Sequence, residues 1–442
     1  MQLYNLFLAL SLALPHMSIG LPTGNKQLVG GETYENTNST FVYPRSPASG
    51  NAKLMKCPPG APHSGRYIIK IKDPKSSAAV LRHLDPHTLP LEKLHHLIIT
   101  TLKPDQLHNI EKESNVEFIA EDCKMKTMDT GADSAEGSTH VPWGVARLSS
   151  MKRLDAHDYT DGFQRKNLGS SACARIYVLD SGVKLDHPDF DGRVTFGASF
   201  GPDGPNFQGD NYGHGTHVAG IIGSKRFGVD PTANIISVKI SDASGGTMSA
   251  DILLGLNWVW SNIDQVNHAN QKQGKPIHPA VINLSLSVET SGQPIEDTIK
   301  ELTEAGHLVV VSAGNQNRDV KDISPARSPY ALTVGYTTIE DKRNPASNYG
   351  AQVDVYAPGT RIVSSWIGVG PEDRKTLSGA SHATPFATVV AAIYWCQYHP
   401  MKSIKPFPPT TVKRRIADNA LSNILTGVPS VPNRLLHINP VN

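Results

Sequence analysis

The chain has 442 residues, with 42 Lys and Arg against 40 Asp and Glu for a net charge of +2, 39% hydrophobic residues and four cysteines. Near-neutral charge without a basic block excludes an electrostatic nucleic-acid binder, and the absence of an apolar run of about 18 residues past the first twenty excludes a polytopic membrane protein. Four cysteines are too few for a disulfide scaffold, so a conventional apolar core must hold the fold, in what length alone puts at roughly three units.

Residues 6–14 are apolar but too few to span a bilayer, and Pro15 and Ser18-Ile19-Gly20 follow at the spacing of a signal-peptidase site. Residues 1–20 are therefore read as a secretory signal. Residues 21–64 are rich in Pro, Gly, Asn, Ser and Thr without a sustained period, the composition of a solvated linker. Order is expected from Arg66, where RYIIKIKD puts Tyr67, Ile69 and Ile71 on one strand face. Val80, Leu81 and Leu84, then Leu91, Leu94, Leu97 and Ile98, recur at helical spacing, and VEFIAED from Val116 reads as a closing strand. Residues 65–128 thus form a small α+β unit.

A polar stretch leads into a larger unit, residues 129–442. There, short apolar runs at 176–179, 235–238, 281–286, 308–311 and 331–334 alternate with helical patterns and Gly-rich turns. This is the signature of an α/β fold with a mostly parallel sheet buried on both faces. In such sheets, ligand and catalytic groups gather at the carboxyl ends of the strands.

Four features fall on that edge. ARIYVLDSGV delivers Asp180 just past an apolar strand, with Gly182 permitting a sharp turn. NYGHGTHVAGIIGS sets His214 at the opening of a helix marked by Val218, Ile221 and Ile222. His214 and His217, three residues apart, also fit a zinc reading, although no Glu or Cys completes a ligand set at a known spacing. In LSGASHATPFATVVAAIYW, Phe386, Val389, Val390 and Ile393 mark a buried helix with Pro385 in its first turn, so Ser381 stands at a helix mouth where backbone N–H groups and the dipole stabilise negative charge. HLVVVSAGN ends a strand at Asn315, whose amide either donates to an oxyanion or fills a turn.

Together these motifs resemble the subtilisin-like serine proteases, and within them the secreted fungal proteinase K group. The matching segments are VLDSGV around Asp180, GHGTHVAG around His214, SAGN ending at Asn315 and SGASHATP around Ser381, with PWGVARLS, INLSL, SNYG, YAPG and NRLL as lesser landmarks. The chain order Asp, His, Ser is a general mark of subtilisins. The resemblance runs from about residue 140 onward and implies a three-layer α/β subtilisin-like fold, peptide substrates and no catalytic cofactor. Ser381 is then the nucleophile, His214 the general base, Asp180 its orienting partner and Asn315 an oxyanion donor. Ser244, Gly245, Gly246, Ser285, Leu286, Ser287, Ala313 and Gly314 line the substrate site, and residues 65–128 act as an inhibitory prodomain removed by self-cleavage near Met128. The resemblance also implies a structural Ca²⁺ held by the carbonyls of Pro329 and Ala331 and the carboxylate of Asp354, ligands suited to that ion.

Ala380 and His382 flank Ser381 where the family usually has Thr and Met. Ser287 and Val288 stand where it usually has two glycines, which is expected to reshape the specificity pocket. Cys173 pairs with Cys396, or both stay as thiols. Asn38 fits a glycosylation sequon, and Asn283 fits one inside an apolar strand. The expected product is a secreted, extracellular, monomeric serine endopeptidase without nucleic-acid or membrane partners, made as a zymogen. The alternative is a non-catalytic relative that binds peptides or inhibitors. Five pro-region histidines, His83, His87, His95, His96 and His108, either form a solvated face or loosen the inhibitory complex as pH falls.

Overall fold

The computed structural model describes residues 33–36, 39–42, 52–126, 132–133, 141–155, 165–287, 292–368, 370, 373–398 and 408–439. The signal region, Asn38, Met128 and Val288 lie outside the described residues. Contacts divide the chain into residues 1–49 and residues 50–442. In the first unit, β1 (Thr33–Asn36) and β2 (Ser39–Val42) pair as an antiparallel hairpin, within the stretch read as an unstructured linker.

The second unit opens with a small sheet of β3 (Lys53–Met55), β4 (His63–Ile71), β5 (Leu97–Thr101) and β6 (Val116–Lys126). Helices α1 (Ala78–Leu81) and α2 (Pro104–Ile110) accompany it. β4 lies between β5 and β6, antiparallel to both, and β3 joins β6 in parallel. Order thus begins before residue 65, and a disulfide from Cys57 to Cys123 ties this early segment to β6. Ile69 and Ile71 point into a core with Val80, Leu84, Ile98, Ile110 and Ile119. The expected helix around 91–98 is not formed. The LIITT sequence of β5 has the branched side chains that favour a pleated surface over a helix.

The remaining elements are β7 (Ala132–Asp133), α3 (Trp143–Arg147), β8 (Arg175–Asp180), β9 (Val194–Ser199), α4 (His214–Gly223), β10 (Asn234–Lys239), β11 (Gly246–Met248) and α5 (Ser249–Lys272). They continue with β12 (Ala280–Leu284), α6 (Gln293–Glu304), β13 (Leu308–Ser312), β14 (Leu332–Thr337), β15 (Val355–Pro358), β16 (Ile362–Ser365) and β17 (Arg374–Leu377). Helices α7 (Ala380–Tyr398) and α8 (Pro409–Asn419) and strands β18 (Leu421–Ser422) and β19 (Arg434–Leu435) close the chain. The large sheet runs β18-β19-β15-β14-β13-β12-β8-β10-β9, with every pairing parallel except β18 with β19.

Each central strand is buried on both faces, so its alternate residues feed two cores. Ile176, Val178, Val281, Leu308 and Val310 pack with α4 and α7 through Val218, Ile222, Phe386 and Val390. Tyr177, Leu179, Ile282, Val309 and Val311 pack with α5 and α6 through Leu253, Leu256, Ile295 and Ile299. The small sheet presents Ile68, Leu94, Leu97, Phe118 and Met125 to that second core. The strand order reverses direction at β8, which lies between β10 and β12; such a switch point opens a crevice at the carboxyl ends of its strands.

Candidate active site

β8 ends on Asp180, whose carboxylate Oδ1 accepts hydrogen bonds from Ser181 N at 2.8 Å and His214 Nδ1 at 2.7 Å. Both side chains are fully buried. A carboxylate partner fixes the proton on Nδ1, which leaves Nε2 as the basic nitrogen. The backbone leaves β8 through Gly182 at φ +100°, where a Cβ would come within 2.0 Å of Gly209 O. Only glycine permits this approach.

Asp210 positions His214. Its two oxygens accept five hydrogen bonds, from Ser181 Oγ, Tyr212 N, Gly213 N, Thr216 N and Thr216 Oγ1, at 2.6–3.1 Å. These satisfy N–H groups at the start of α4 that have no partner within the helix. Burial pushes the Asp210 carboxyl up, and the donors on Thr216, Gly213 and Tyr212 pull the other way. Lys239, at the end of β10, donates to Ser181 O at 2.7 Å and Asn211 Oδ1 at 2.9 Å, bracing the same turn. Neither residue stands out in sequence, although an Asp four positions before a helix-opening His is a readable capping signal.

His217 does not join the pair. Its Nε2 faces Ile362 O at 3.1 Å and Lys375 O at 3.0 Å, both carbonyls, so it donates and ties α4 to β16 and β17. Among the described residues, no group of three His, Cys, Asp or Glu is arranged to hold a metal ion, and the use made of His217 removes the motive for a zinc reading.

Ser381 lies in the first turn of α7, buried, on the helix that packs against α4. Its carbonyl accepts from Ser285 Oγ at 2.9 Å; Ser285 Oγ in turn accepts from Asn283 Nδ2, and Asn283 Oδ1 accepts from Thr388 Oγ1. Ser285 therefore acts through its side chain on the Ser381 turn. Asn283, fully buried, is closed to glycosylation. Asn315 Oδ1 accepts from Ala380 N at 2.9 Å, which makes Nδ2 the donor end of the amide beside Ser381. The Asn315 loop is held by Asn348, which donates to Ala313 O and accepts from Gln316 N and Arg318 N. His382, fully buried, lays its ring 5.3 Å from that of His214 and 4.6 Å from that of His217, measured between centroids.

Leu286 and Ser287, buried, follow β12. Gly314 has φ +97°, and a Cβ there would lie 2.9 Å from Ser287 Oγ. Ser287 Oγ thus lies close against Gly314. Across the crevice, Gly246 opens β11 after Ser244 and Gly245, and β11 pairs antiparallel with the end of β6, Gly246 opposite Lys126 and Thr247 opposite Met125. Asp242 Oδ1 accepts from the N–H groups of Ser244 and Gly246, which shapes this stretch.

Two expectations about bonding resolve differently. Cys173 and Cys396 form a disulfide, so the free-thiol alternative falls away. The oxygens expected to hold calcium converge instead on an ammonium: Lys413 Nζ lies 3.0 Å from Pro329 O, 2.6 Å from Ala331 O and 3.0 Å from Asp354 Oδ2. With that side chain in place the residues do not fit a metal ion.

A parallel sheet with a buried Asp–His pair at its switch point, and a serine at an adjoining helix mouth, is the arrangement of a serine hydrolase built on an α/β fold. Residues 174–435 match the Peptidase_S8, Subtilase family. A cuticle-degrading protease of Metarhizium anisopliae is 34% identical over 370 residues, 83% of this chain and 87% of that protein. Alkaline protease 2 of Aspergillus fumigatus is 33% identical over 337 residues, 75% of this chain and 66% of that protein. The crystal structure of a cold adapted subtilisin-like serine proteinase superposes with TM-score 0.55 at 30% identity, covering 68% of this chain and 99% of that one. The chain belongs to the subtilase family, as a serine endopeptidase of the proteinase K type. No helix among the described residues is long and apolar enough to cross a membrane.

Proposed function

We propose that the chain is the precursor of a secreted, monomeric serine endopeptidase in which Asp180, His214 and Ser381 form the catalytic triad. The buried 2.7 Å bond from His214 Nδ1 to Asp180 carries this reading, because it leaves Nε2 to take a proton. Ser381 Oγ attacks the peptide carbonyl as His214 Nε2 accepts the hydroxyl proton, giving a tetrahedral oxyanion. Asn315 Nδ2 and the Ser381 N–H donate to that oxyanion. Collapse expels the amine, which takes the proton from His214, and leaves an acyl-enzyme. Water, deprotonated by the same nitrogen, then releases the acid and restores the serine.

The small sheet is the inhibitory pro-region, and self-cleavage near Met128 separates it. Pairing of β6 with the Gly246 edge supports this: an added antiparallel strand is how an extended peptide binds such an edge. Arg66 reaches Asp251 at 2.7 Å, Lys70 reaches Asp297 at 2.6 Å, and buried Asp122 accepts from Ala250 N at 2.7 Å, capping α5 from outside. Each disulfide lies wholly on one side of the cleavage point, so nothing covalent then holds the parts together. Expression of the precursor beside its Ser381→Ala variant tests both steps. Only the parent is expected to yield a shortened protein, hydrolyse casein and react stoichiometrically with a serine-directed phosphonylating probe. Equal processing of the two, or absence of labelling, would overturn the proposal, the latter in favour of a non-catalytic peptide binder.

A further inference from the structure

We propose that Lys413 is a tethered cation that takes the place of a bound divalent metal ion at the junction of the 329–331 turn, β14 and β15, so that the protein holds this junction without calcium. An ammonium has three N–H donors. Here three oxygens meet it, at 2.6–3.0 Å, two of them main-chain carbonyls and the third the carboxylate of Asp354. These are distances for N–H···O bonds; calcium sits 2.3–2.6 Å from six to eight oxygens. The ammonium is largely withdrawn from solvent, with 17% of the Lys413 side chain and 15% of that of Asp354 exposed.

The surroundings hold the ammonium there. α8 seats Val412 and Ile416 in the core shared with α7, and Lys413 lies between them in sequence on the same short helix. That anchoring fixes the Lys413 backbone within reach of the three oxygens. On the acceptor side, Asp354 Oδ2 also accepts from Thr333 N at 2.8 Å, and Asp354 N donates to Thr333 O at 3.0 Å, so the carboxylate is fixed to β14 before any cation arrives. One carboxylate and one ammonium balance. A dication entering the same three oxygens would stand against the ammonium at contact distance, with one acid to offset both, and Arg434 adds positive charge near that acid. The lysine therefore joins α8 to two central strands as a metal ion would, while remaining part of the chain.

The test is thermal unfolding of the full chain, carrying Ser381→Ala to prevent autolysis, in EGTA and in millimolar calcium. With Lys413 present, the two midpoints should agree within about 1 °C, or differ only by a shift that Asp354→Asn leaves unchanged. Lys413→Met keeps the apolar stem and removes the charge. Its midpoint in EGTA should fall by roughly 5–10 °C, because a buried carboxylate loses its partner. Calcium should restore most of that loss, and adding Asp354→Asn should abolish the restoration. Calcium stabilising the Lys413 protein as strongly as the Met variant would overturn the proposal. Should the Met variant fail to fold, equilibrium dialysis with calcium decides on the Lys413 chain. Equal stoichiometry in that chain and its Asp354→Asn variant supports the tethered cation, and one fewer ion in the variant refutes it.

Discussion

Asn315 illustrates how one side chain serves two ends. Its oxygen holds the Ala380 N–H, so its amide nitrogen is aimed by a bond that exists before substrate arrives. Asn315→Ala should lower kcat by about 10²–10³ with little change in KM, the pattern for a donor used mainly in the transition state. Ser287 is proposed to act on selection instead. Its hydroxyl crowds Gly314, so Ser287→Gly should raise kcat/KM for peptides with a large apolar residue before the cleaved bond, by about tenfold or more relative to alanine there, in a peptide-library profile. An unchanged profile would remove Ser287 from the pocket. Asp180, His214, Asn315 and Ser381 were legible because each stands in a motif tied to a strand end or helix mouth. Lys239, Asn348 and Lys413 were not, since each acts on groups distant in sequence and no local pattern marks such a bond, while Asp210 left only a capping signal.

Among the elements, the strands of the large sheet were the most legible, because burial on both faces leaves runs such as 308–311 almost wholly apolar. The small sheet was harder to read. Leu91, Leu94 and Leu97 have helical spacing, yet Leu94 and Leu97 serve the core against α5 and α6 while Ile98 faces the sheet's own core, a division that only the assembled layers make visible. The second bridge was legible only as one of two alternatives, since its partners stand 223 residues apart. That bridge joins the segment just before β8 to the end of α7, the two elements that carry Asp180 and Ser381. Cys173→Ser with Cys396→Ser should therefore lower stability by about 2–5 kcal/mol, as for a native disulfide closing a long loop. Calorimetry of the inhibited enzyme should show the loss, while casein hydrolysis well below the new midpoint stays close to that of the parent. Loss of activity without a change in melting would instead give the bridge a role in the site.

At the scale of the whole molecule, the proposed release of the small sheet as a pro-region depends on the charges between it and the helices α5 and α6, and these oppose loosening in acid, one of the two readings of the five histidines. His87, His95 and His108 are exposed, and His83 pairs with Glu113 inside the small sheet. Only His96, of the five, meets a carboxylate across the boundary, Glu301 at 3.1 Å. Burial, aided by Lys70, lowers His96 from 6.5 to about 4, so on its own it weakens the complex as pH falls below 6.5. Burial pushes Glu301 up from 4.5 to about 7, against Lys70 and with Asp297 and Glu304 adding to the rise. Burial likewise raises Asp251 from 3.8 to about 6; Arg66 opposes this but is shared with Asp122, which itself adds to the rise. Both carboxylates regain water when the small sheet leaves, so Glu301 between about pH 4.5 and 7, and Asp251 between about pH 3.8 and 6, bind protons more tightly in the complex. A group whose value is raised in the complex stabilises it below its free value and loses that contribution as pH rises through the raised one. Two such carboxylates outweigh one histidine across this window. Release should therefore quicken from pH 5 to pH 8. After processing is stopped with the phosphonylating reagent, gel filtration should recover more pro-region with the enzyme at pH 5 than at pH 8, and Glu301→Gln should flatten the difference. Greater retention at pH 8 would show that His96 governs the boundary after all.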